Sequence, residues 1–472
     1  MLTRLKVRGF KSLEDIDVAF GPFTCIAGTN GVGKSNLFDA ILFLKDLADK
    51  SIIEAANRVR NRDGHNRSDI RSLFTKTISS QAEEIEFDAE FIVSPKVIDD
   101  YRREASPKVT YLKYNLVLRY LPATDKGPEG IELTREVLTF VQKGEARNRL
   151  GFEHSKEFFD SVYHGGSKIN FIYTDVEDGH PVLKVRQDQK GGNPVTIPLA
   201  NTERTALSGI NSIDRPTALA ARREIQSWTL LQLEPSALRR PDDFVSVSKV
   251  SPIGEHLPAT LSRLEKIAGK NAEIANELAN LLPDVANVSV DIDEPRQSKT
   301  LYLETTTGIR HEARALSDGT LRFLALSIIG ADSDSGGVIC LEEPENGIHP
   351  ARISAMIQLL YRMTADPLVP VDSTDNPLRQ VIINTHSPLV IEKIVTDDLV
   401  VSQAIKKDGA QLSRFTAVTQ TWREAAMCGL GHPPIGYGAL LDFLNVEDSE
   451  EQMEEGKTVR HFLRHQLGMI GR

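Results

Sequence analysis

Residues 28–35 of the sequence read GTNGVGKS, the pattern G-x-x-x-x-G-K-S of a phosphate-binding loop. The apolar run 23–27 before the loop predicts a buried strand, and the apolar residues after it recur at helical spacing. In a strand–loop–helix, glycines let successive backbone N–H groups turn towards a phosphate, and the helix N-terminus adds its positive end. Lys34 is therefore predicted to contact the β- and γ-phosphates of a nucleotide, and the Ser35 hydroxyl to bind Mg²⁺.

Two acidic residues and a histidine follow apolar runs later in the chain. Glu342 and Glu343 come directly after the run 338–341, and His386 comes shortly after the run 381–384. At the carboxyl end of a strand, one carboxylate can hold Mg²⁺ through water while the other polarises an attacking water as a general base. His386 is predicted to contact a phosphate. The alternative interpretations are a solvated acidic turn and a structural histidine.

A third motif, LSDGT at residues 316–320, precedes an apolar helical pattern at 321–328. A Ser and a Gly at the start of a helix favour an anion-binding N-terminus. Alone the motif is weak, because Ser-Asp-Gly is common in turns.

The remaining pattern predicts the elements that position these motifs. Alternating segments predict a hairpin over 2–20 and antiparallel strands over 85–93, 112–120 and 131–141, in a sheet distinct from the one that carries the loop. Periodicity predicts helices over 217–232 and 257–282, two edge strands at 399–401 and 415–418, and a helix over 439–444. Residues 144–250 are predicted to be an insertion.

Bulk composition restricts the class of protein. The chain has 472 residues, 40% hydrophobic residues, three scattered cysteines and a formal net charge of −10. These values indicate a globular protein of more than one lobe, without a disulfide framework, and they argue against non-specific coating of nucleic acid by the whole surface. The lack of a disulfide framework predicts a reducing, cytoplasmic environment. The absence of an apolar run of about 18 residues predicts that there is no membrane span, and the first residues do not read as a signal peptide.

Charged clusters outside the motifs have open interpretations. Arginines between Arg58 and Arg71 form either a solvated loop or a contact to nucleotide or nucleic-acid phosphates. The acidic run 447–455 reads as solvent-facing. His461 and His465 have metal-ligand spacing, but an exposed helix is the favoured interpretation.

The order of these motifs resembles that of ATP-binding-cassette (ABC) ATPases of the non-transporter kind, which include SMC, RecF and OLD proteins. It is most similar to armless bacterial AAA-annotated ATPases, such as the ATPase subunits of antiphage systems like Septu. The resemblance implies an α/β ABC-ATPase head with a mixed or parallel core sheet, an antiparallel β lobe and a partly helical insertion. It divides the chain into lobe I (1–95), the β lobe and insertion (96–250), lobe II (251–430) and a C-terminal tail (431–472).

The resemblance also implies ATP and Mg²⁺ as ligands. It makes residues 28–35 the Walker A motif, 316–320 the signature motif, 338–343 Walker B and 346–349 the D-loop, with His386 as the switch histidine. Its nucleotide contacts are Asn30, Gly31, Gly33, Lys34, Ser35, Asn36, Ser317 and Gly319; its metal ligands are Ser35 and Glu342; its catalytic residues are Glu343, His386 and Lys34. Walker B ends in Glu-Glu rather than Asp-Glu, and Gln81 is only a weak match to the Q-loop glutamine.

In this family, ATP lies between the Walker A motif of one subunit and the signature motif of another, which implies a homodimer or a larger assembly. The first functional hypothesis is an ATPase that regulates a separate effector, a nuclease such as an HNH protein, in antiviral defence. No nuclease site is found in the chain, because the tail lacks the Glu and Asp-x-Asp arrangement of a Toprim domain. The alternatives are a RecF-like clamp that contacts DNA through Arg58–Arg71 and a slow nucleotide sensor.

Overall fold

The structure is a computed structural model. It describes residues 1–59, 70–125, 128–167, 169–188, 193–200, 202–267, 269–372, 374–430, 433–436 and 438.

The strands are β1 Leu2–Phe10, β2 Leu13–Ala19, β3 Phe23–Ala27, β4 Glu84–Ile92, β5 Val97–Ile98, β6 Glu104–Ala105, β7 Tyr111–Leu121, β8 Gly130–Phe140, β9 Ile172–Glu177, β10 His180–Val185, β11 Val195–Pro198, β12 Thr229–Leu231, β13 Asp242–Asp243, β14 Val285–Asp293, β15 Ser298–Thr305, β16 Arg310–Glu312, β17 Gly337–Glu342, β18 Arg379–Thr385, β19 Leu399–Lys407 and β20 Ala410–Ala417. The helices are α1 Lys34–Leu47, α2 Ile52–Arg58, α3 Lys143–Leu150, α4 Lys156–Val162, α5 Pro216–Ser227, α6 Pro235–Leu238, α7 Leu257–Leu264, α8 Lys270–Leu281, α9 Asp318–Ala331, α10 Ile353–Arg362, α11 Pro388–Ile391 and α12 Trp422–Ala426.

Two large sheets organise these elements. The first is antiparallel, in the order β11-β10-β9-β8-β7-β4-β1-β2, and it joins strands from both sides of residue 95. The second has the order β12-β17-β18-β3-β19-β20, in which every neighbouring pair is parallel except β19 and β20. The predicted fold class, α/β with a mixed core sheet and an antiparallel β lobe, is confirmed.

The parallel strands explain why the motifs meet. The strands β3, β17 and β18 are buried along almost their whole length, and they read as continuous apolar runs because helices or the other sheet cover both faces. Their carboxyl ends lie at one edge of the sheet, since parallel strands run in the same direction. The phosphate loop, the acidic pair and His386 each follow one of these ends.

The predicted helix over 217–232 is wrong at its C-terminal end. Helix α5 stops at Ser227, Trp228 is extended, and Leu230 and Leu231 pair with Cys340 and Leu341 of β17. Periodicity could not reveal this, because the three residues of β12 are too few to show a strand period. The parallel pairing with β17 decides the conformation.

Two further element predictions need correction. The single helix predicted over 257–282 is two helices, α7 and α8, and Gly269 precedes α8 with a φ of +85° that a continuous helix does not allow. Strand β19 lies between β3 and β20, so of the two strands only β20 is at an edge. The helix predicted over 439–444 lies outside the described residues. No helix in the described part of the chain is long and apolar enough to cross a membrane.

A buried carboxylate ties the antiparallel sheet to the segment that follows it. Glu136 on β8 is fully buried and accepts hydrogen bonds from the backbone N–H groups of Ala206, at 2.6 Å, and Leu207, at 2.9 Å, and from the Tyr114 hydroxyl at 3.0 Å. Burial raises the pKa of Glu136 to about 7, against the opposing effect of these hydrogen bonds.

We expect Glu136→Gln to lower the free energy of unfolding by about 2 kcal/mol, because an amide has one acceptor oxygen and leaves a buried N–H unpaired. Stability of the natural protein should fall as pH rises from about 4.5 to about 7, since the folded state holds the proton more tightly than the unfolded state. Thermal unfolding at several pH values tests this. The same substitution at the less buried Glu132 of β8 should change neither the free energy of unfolding nor its dependence on pH. If stability in Glu136→Gln depends on pH as it does in the natural protein, the prediction is contradicted.

Candidate functional site

The phosphate loop leaves a set of backbone donors facing a cavity. Within the described residues, the N–H groups of 29–35 have no acceptor, and this loop lines a cavity of about 510 Å³. Gly31 and Gly33 have φ values of +81° and +89°. A side chain at 33 could not be accommodated, because its Cβ would lie 1.8 Å from the Ser413 hydroxyl. The unpaired donors fit a bound phosphate chain.

Side chains of β19 and β20 donate hydrogen bonds to backbone carbonyls of the phosphate loop. The Ser402 hydroxyl donates to the carbonyl of Val32 at 3.2 Å, and Gln411 donates to the carbonyl of Gly31 at 3.2 Å. Asn36, predicted as a nucleotide contact, lines the cavity and donates to the Ser12 hydroxyl at 2.6 Å. The backbone donors of the loop are thus held in place before a ligand binds.

The ammonium group of Lys34 lies inside the loop. It donates to the carbonyls of Gly28 at 2.6 Å and Thr29 at 2.8 Å, and it forms no ion pair with any described residue. Burial lowers the pKa of Lys34, and the nearby carboxylates of Glu343, Glu345 and Glu342 oppose this shift. A largely buried cation held only by carbonyls fits an anionic ligand in the cavity.

Glu343 is fixed by three other residues at the strand ends. His386 Nδ1 lies 2.7 Å from Glu343 Oε1, and Asn346 donates to Glu343 Oε2 at 2.8 Å. The backbone N–H of Glu343 donates to the carbonyl and the side-chain oxygen of Asn384, at 3.0 and 3.1 Å. Its φ of +44° is strained for a residue with a side chain, and such strain is a feature of functional sites.

The protonation state of Glu343 follows from these contacts. Burial raises its pKa, but the hydrogen bonds from Asn346 and His386 and the positive charge of Lys34 outweigh burial, so its pKa lies below the ordinary value. Glu343 is therefore ionised near neutral pH, the form that accepts a proton.

The residues predicted to bind Mg²⁺ face the same cavity. Ser35 and Glu342 both line it, and neither side chain has a hydrogen-bond or ion-pair partner among the described residues. In the described ranges, no group of three or more His, Cys, Asp or Glu side chains could hold a metal ion. A hydroxyl and one carboxylate fit Mg²⁺, which usually completes its shell with water and substrate phosphates.

Glu345 comes two residues after the acidic pair and is buried. One carboxylate oxygen accepts a hydrogen bond from the Thr385 hydroxyl, while Oε2 is buried without a partner in the described structure. Burial raises the pKa of Glu345, and the negative charge of Glu343 raises it further, against the Thr385 hydrogen bond. Glu345 thus anchors the turn after β17 to the end of β18.

The signature motif lies away from this cavity. Ser317 caps helix α9 by accepting a hydrogen bond from the Thr320 N–H at 3.3 Å, and its side chain is exposed. Asp318 forms an ion pair of 2.6 Å with Arg239. Ser317 and Gly319 do not line the cavity, and neither does His386, which reaches it only through its contact with Glu343. One chain brings together the Walker A, Walker B and histidine residues, but not the signature residues.

The structure adds two residues that the sequence motifs did not reveal. Gln232 follows β12, the neighbour of β17, and it lines a second cavity of about 390 Å³ together with Glu342 and Glu343. The predicted helix over 217–232 concealed it. Arg322 of α9 lines the same cavity, and its Nε is buried without a partner in the described structure. Gln81, the weak Q-loop match, instead donates to the carbonyl of Arg71 at 2.9 Å and lines neither cavity.

The described members of the basic segment have partners within the chain. Arg58 lies 3.5 Å from Asp46, and the Arg71 guanidinium stacks over the Tyr120 ring at 4.1 Å. The remaining arginines of this segment, the acidic run 447–455 and the pair His461 and His465 lie outside the described residues.

Comparison with known proteins adds a family. Residues 23–392 match the model of the family described as "AAA domain, putative AbiEii toxin, Type IV TA system". The match covers well over half of the chain. The chain belongs to this family. The predicted resemblance to AAA-annotated ATPases is confirmed by this match.

Individual relatives of this AAA-domain protein are distant or partial. An "OLD nuclease" of Thermus scotoductus is 54% identical over 41 residues, 9% of this chain and 8% of that protein. The chain thus matches only a small part of its length. A solved structure of an "SmcHead bound to the C-winged helix domain of ScpA" has a TM-score of 0.46 at 14% identity, over 89% of this chain and 98% of that chain. An "Smc head domain with an extended coiled coil" from Pyrococcus furiosus has a TM-score of 0.45 at 13% identity, over 88% of this chain and 96% of that chain.

Proposed function

We propose that this AAA-domain protein binds Mg²⁺-ATP in the cavity between the phosphate loop and the acidic strand, and hydrolyses it slowly or under regulation. One observation carries the proposal. Lys34, Ser35, Glu342, Glu343 and the end of β18 meet at a single cavity, although they come from distant parts of the sequence. ATP is preferred to GTP because the sequence lacks an Asn-Lys-x-Asp guanine-binding motif.

The roles of the residues follow from their positions. The unpaired N–H groups of residues 29–35 and Lys34 bind the phosphate chain, while Ser35 and Glu342 hold Mg²⁺. The bound metal ion neutralises charge on the phosphates. Glu343 accepts the proton of the attacking water, and His386 orients Glu343 and senses the γ-phosphate.

A single chain provides only half of the proposed site. Ser317 and the N-terminus of α9 are exposed and are absent from the cavity lining, so a second copy is needed to place them at the γ-phosphate. ATP would then join two chains, and hydrolysis would loosen them, because the nucleotide makes more contacts in the closed dimer. We propose a homodimer or a larger assembly on this ground.

Analytical ultracentrifugation tests this assembly. With Mg²⁺-ATP, Glu343→Gln should sediment as a dimer or larger species, because ATP bound in the shared site is not removed. Without nucleotide, or with ADP, a smaller species should predominate. A Glu343→Gln protein that stays monomeric at saturating ATP contradicts the shared site.

The output of the cycle is proposed to be control of a separate effector, a nuclease such as an HNH protein, in antiviral defence in the cytoplasm. The family description and the short OLD nuclease match support this link. The neighbouring gene and the proteins that co-purify with the native protein test it, and a nuclease among them is the expected result. A RecF-like clamp would instead bind DNA alone, with a strong salt dependence.

A slow nucleotide sensor is a second candidate. The contacts of Glu343 favour this candidate, because His386 contacts one of its carboxylate oxygens and Asn346 contacts the other. A general base held in this way needs a rearrangement before it can act. Turnover that Glu343→Gln does not change would favour the sensor, whereas a large loss favours the regulated ATPase.

A further inference from the structure

A separate cavity shares Leu231 of the edge strand β12 with the second cavity near Glu342 and Glu343. It has a volume of about 410 Å³, within the range of small-molecule sites. Its walls include Leu231 of β12, Ile329 of α9 and Ile339 of β17, all of which are buried. Apolar side chains thus form the body of the cavity.

Two lysines line this cavity. Lys45, in the last turn of α1, is half-buried, and its ammonium group has no hydrogen-bond or ion-pair partner among the described residues. Lys249 also lines the cavity and donates to the carbonyl of Asp334 at 3.3 Å. Burial lowers the pKa of Lys45; Asp46 opposes this, whereas the positive charges of Arg58, Lys50 and Lys249 add to it.

Two cations at one cavity repel each other unless an anion lies between them. We propose that this cavity binds a small anionic amphiphile, with a carboxylate or phosphate head at Lys45 and Lys249 and an apolar body against Leu231, Ile329 and Ile339. The Thr229 hydroxyl of β12, which also lines the cavity, supplies a further donor for the head.

The position of the cavity gives binding a consequence. Lys45 belongs to the helix that starts at the phosphate loop, Ile329 to the helix that Ser317 caps, and Leu231 directly precedes Gln232. A ligand that favours one arrangement of these three elements changes the affinity for nucleotide. By linkage, nucleotide changes the affinity for that ligand by the same free energy. This regulatory part rests on the proposed nucleotide site, whereas binding itself does not.

Fluorescence of 8-anilinonaphthalene-1-sulfonate, an anionic probe with an apolar body, tests binding on the full chain without nucleotide. We expect saturable binding with one probe per chain, displaced by decanoate or decyl phosphate, and at least about tenfold more weakly by neutral decanol. The more effective of the two acids identifies the preferred head. Lys45→Met should weaken binding about tenfold or more, and Lys45→Arg should restore most of it.

Lys50→Met is the matched control, because Lys50 lies near the end of the same helix but does not line the cavity. Equal binding by Lys45→Met and Lys50→Met, with unchanged thermal unfolding, would overturn the proposal and leave Lys45 as a cation that stabilises the helix C-terminus. Displacement by decanol as effective as by decanoate would also overturn it. Saturating decanoate should change the Kd of a fluorescent ATP analogue at least about threefold; no change would overturn the regulatory part alone.

Discussion

Glu343→Gln is expected to lower kcat for ATP hydrolysis by about 10²- to 10⁴-fold, because a general base contributes an acceleration of that order. The carboxylate lies at the cavity edge, paired with His386 at 2.7 Å, and its pKa is below the ordinary value. Gln keeps the shape and the hydrogen bond from Asn346 but cannot accept a proton. The Kd for ATP should change little, because Lys34 and the loop N–H groups remain.

The low pKa also determines the pH dependence. Because the pKa of Glu343 lies below that of an ordinary glutamate, Glu343 stays ionised until the pH falls below the ordinary glutamate pKa. Protonation of the general base should therefore slow hydrolysis only at such low pH values. Steady-state phosphate release between pH 5 and 8 measures this. Glu392→Gln, a matched change on an exposed residue of the same lobe, should leave kcat unaltered. If the kcat of Glu343→Gln is within a few-fold of the natural value, Glu343 is not the general base.

Ser317→Asp is expected to reduce hydrolysis by about 10²- to 10³-fold, because it places a negative charge where the γ-phosphate of the partner's ATP would lie. Asp caps a helix as well as Ser does, so α9 should keep its stability. ATP binding to the separate chains should persist, since Ser317 does not line the cavity of its own chain. The variant should therefore bind nucleotide but fail to dimerise.

Mixing experiments make this prediction specific to a site shared between chains. Lys34→Ala and Ser317→Asp should each be inactive alone. In a mixed dimer one site combines the intact loop of the Ser317→Asp chain with the intact signature of the Lys34→Ala chain. If half of the dimers are mixed and the sites act independently, an equimolar mixture should recover about a quarter of natural activity.

Ser155→Asp provides the control for the cap. Ser155 caps α4 by accepting a hydrogen bond from the Phe158 N–H at 2.9 Å, and it has no proposed role in ATP binding. Its variant should match the natural protein in both activity and assembly. A mixture of Lys34→Ala and Ser317→Asp without activity above the separate variants would argue for a site completed within one chain.

Much of the fold and site is predictable from the sequence because it depends on local patterns. The strand–loop–helix at residues 23–47 follows from an apolar run, a glycine-rich loop and helical spacing. Strands β17 and β18, which lead to Glu343 and His386, are predictable because they are continuous apolar runs. Strands of a parallel sheet have this pattern because both of their faces are buried. The boundaries of α5 and β12 did not follow, because a three-residue strand is stabilised by its pairing with β17.

By itself, the sequence determined which chemical groups are available: a phosphate loop, two adjacent carboxylates, a histidine and a Ser-Gly helix start. Only the tertiary structure decided which of them share a cavity. Strand order places β17 and β18 beside β3 and so brings Glu343 and His386 to Lys34, while Ser317 is left exposed. It also places Gln232 beside the acidic pair and leaves Lys45 without a partner among the described residues. Contacts between residues hundreds of positions apart depend on how sheets and helices pack, which local spacing does not specify.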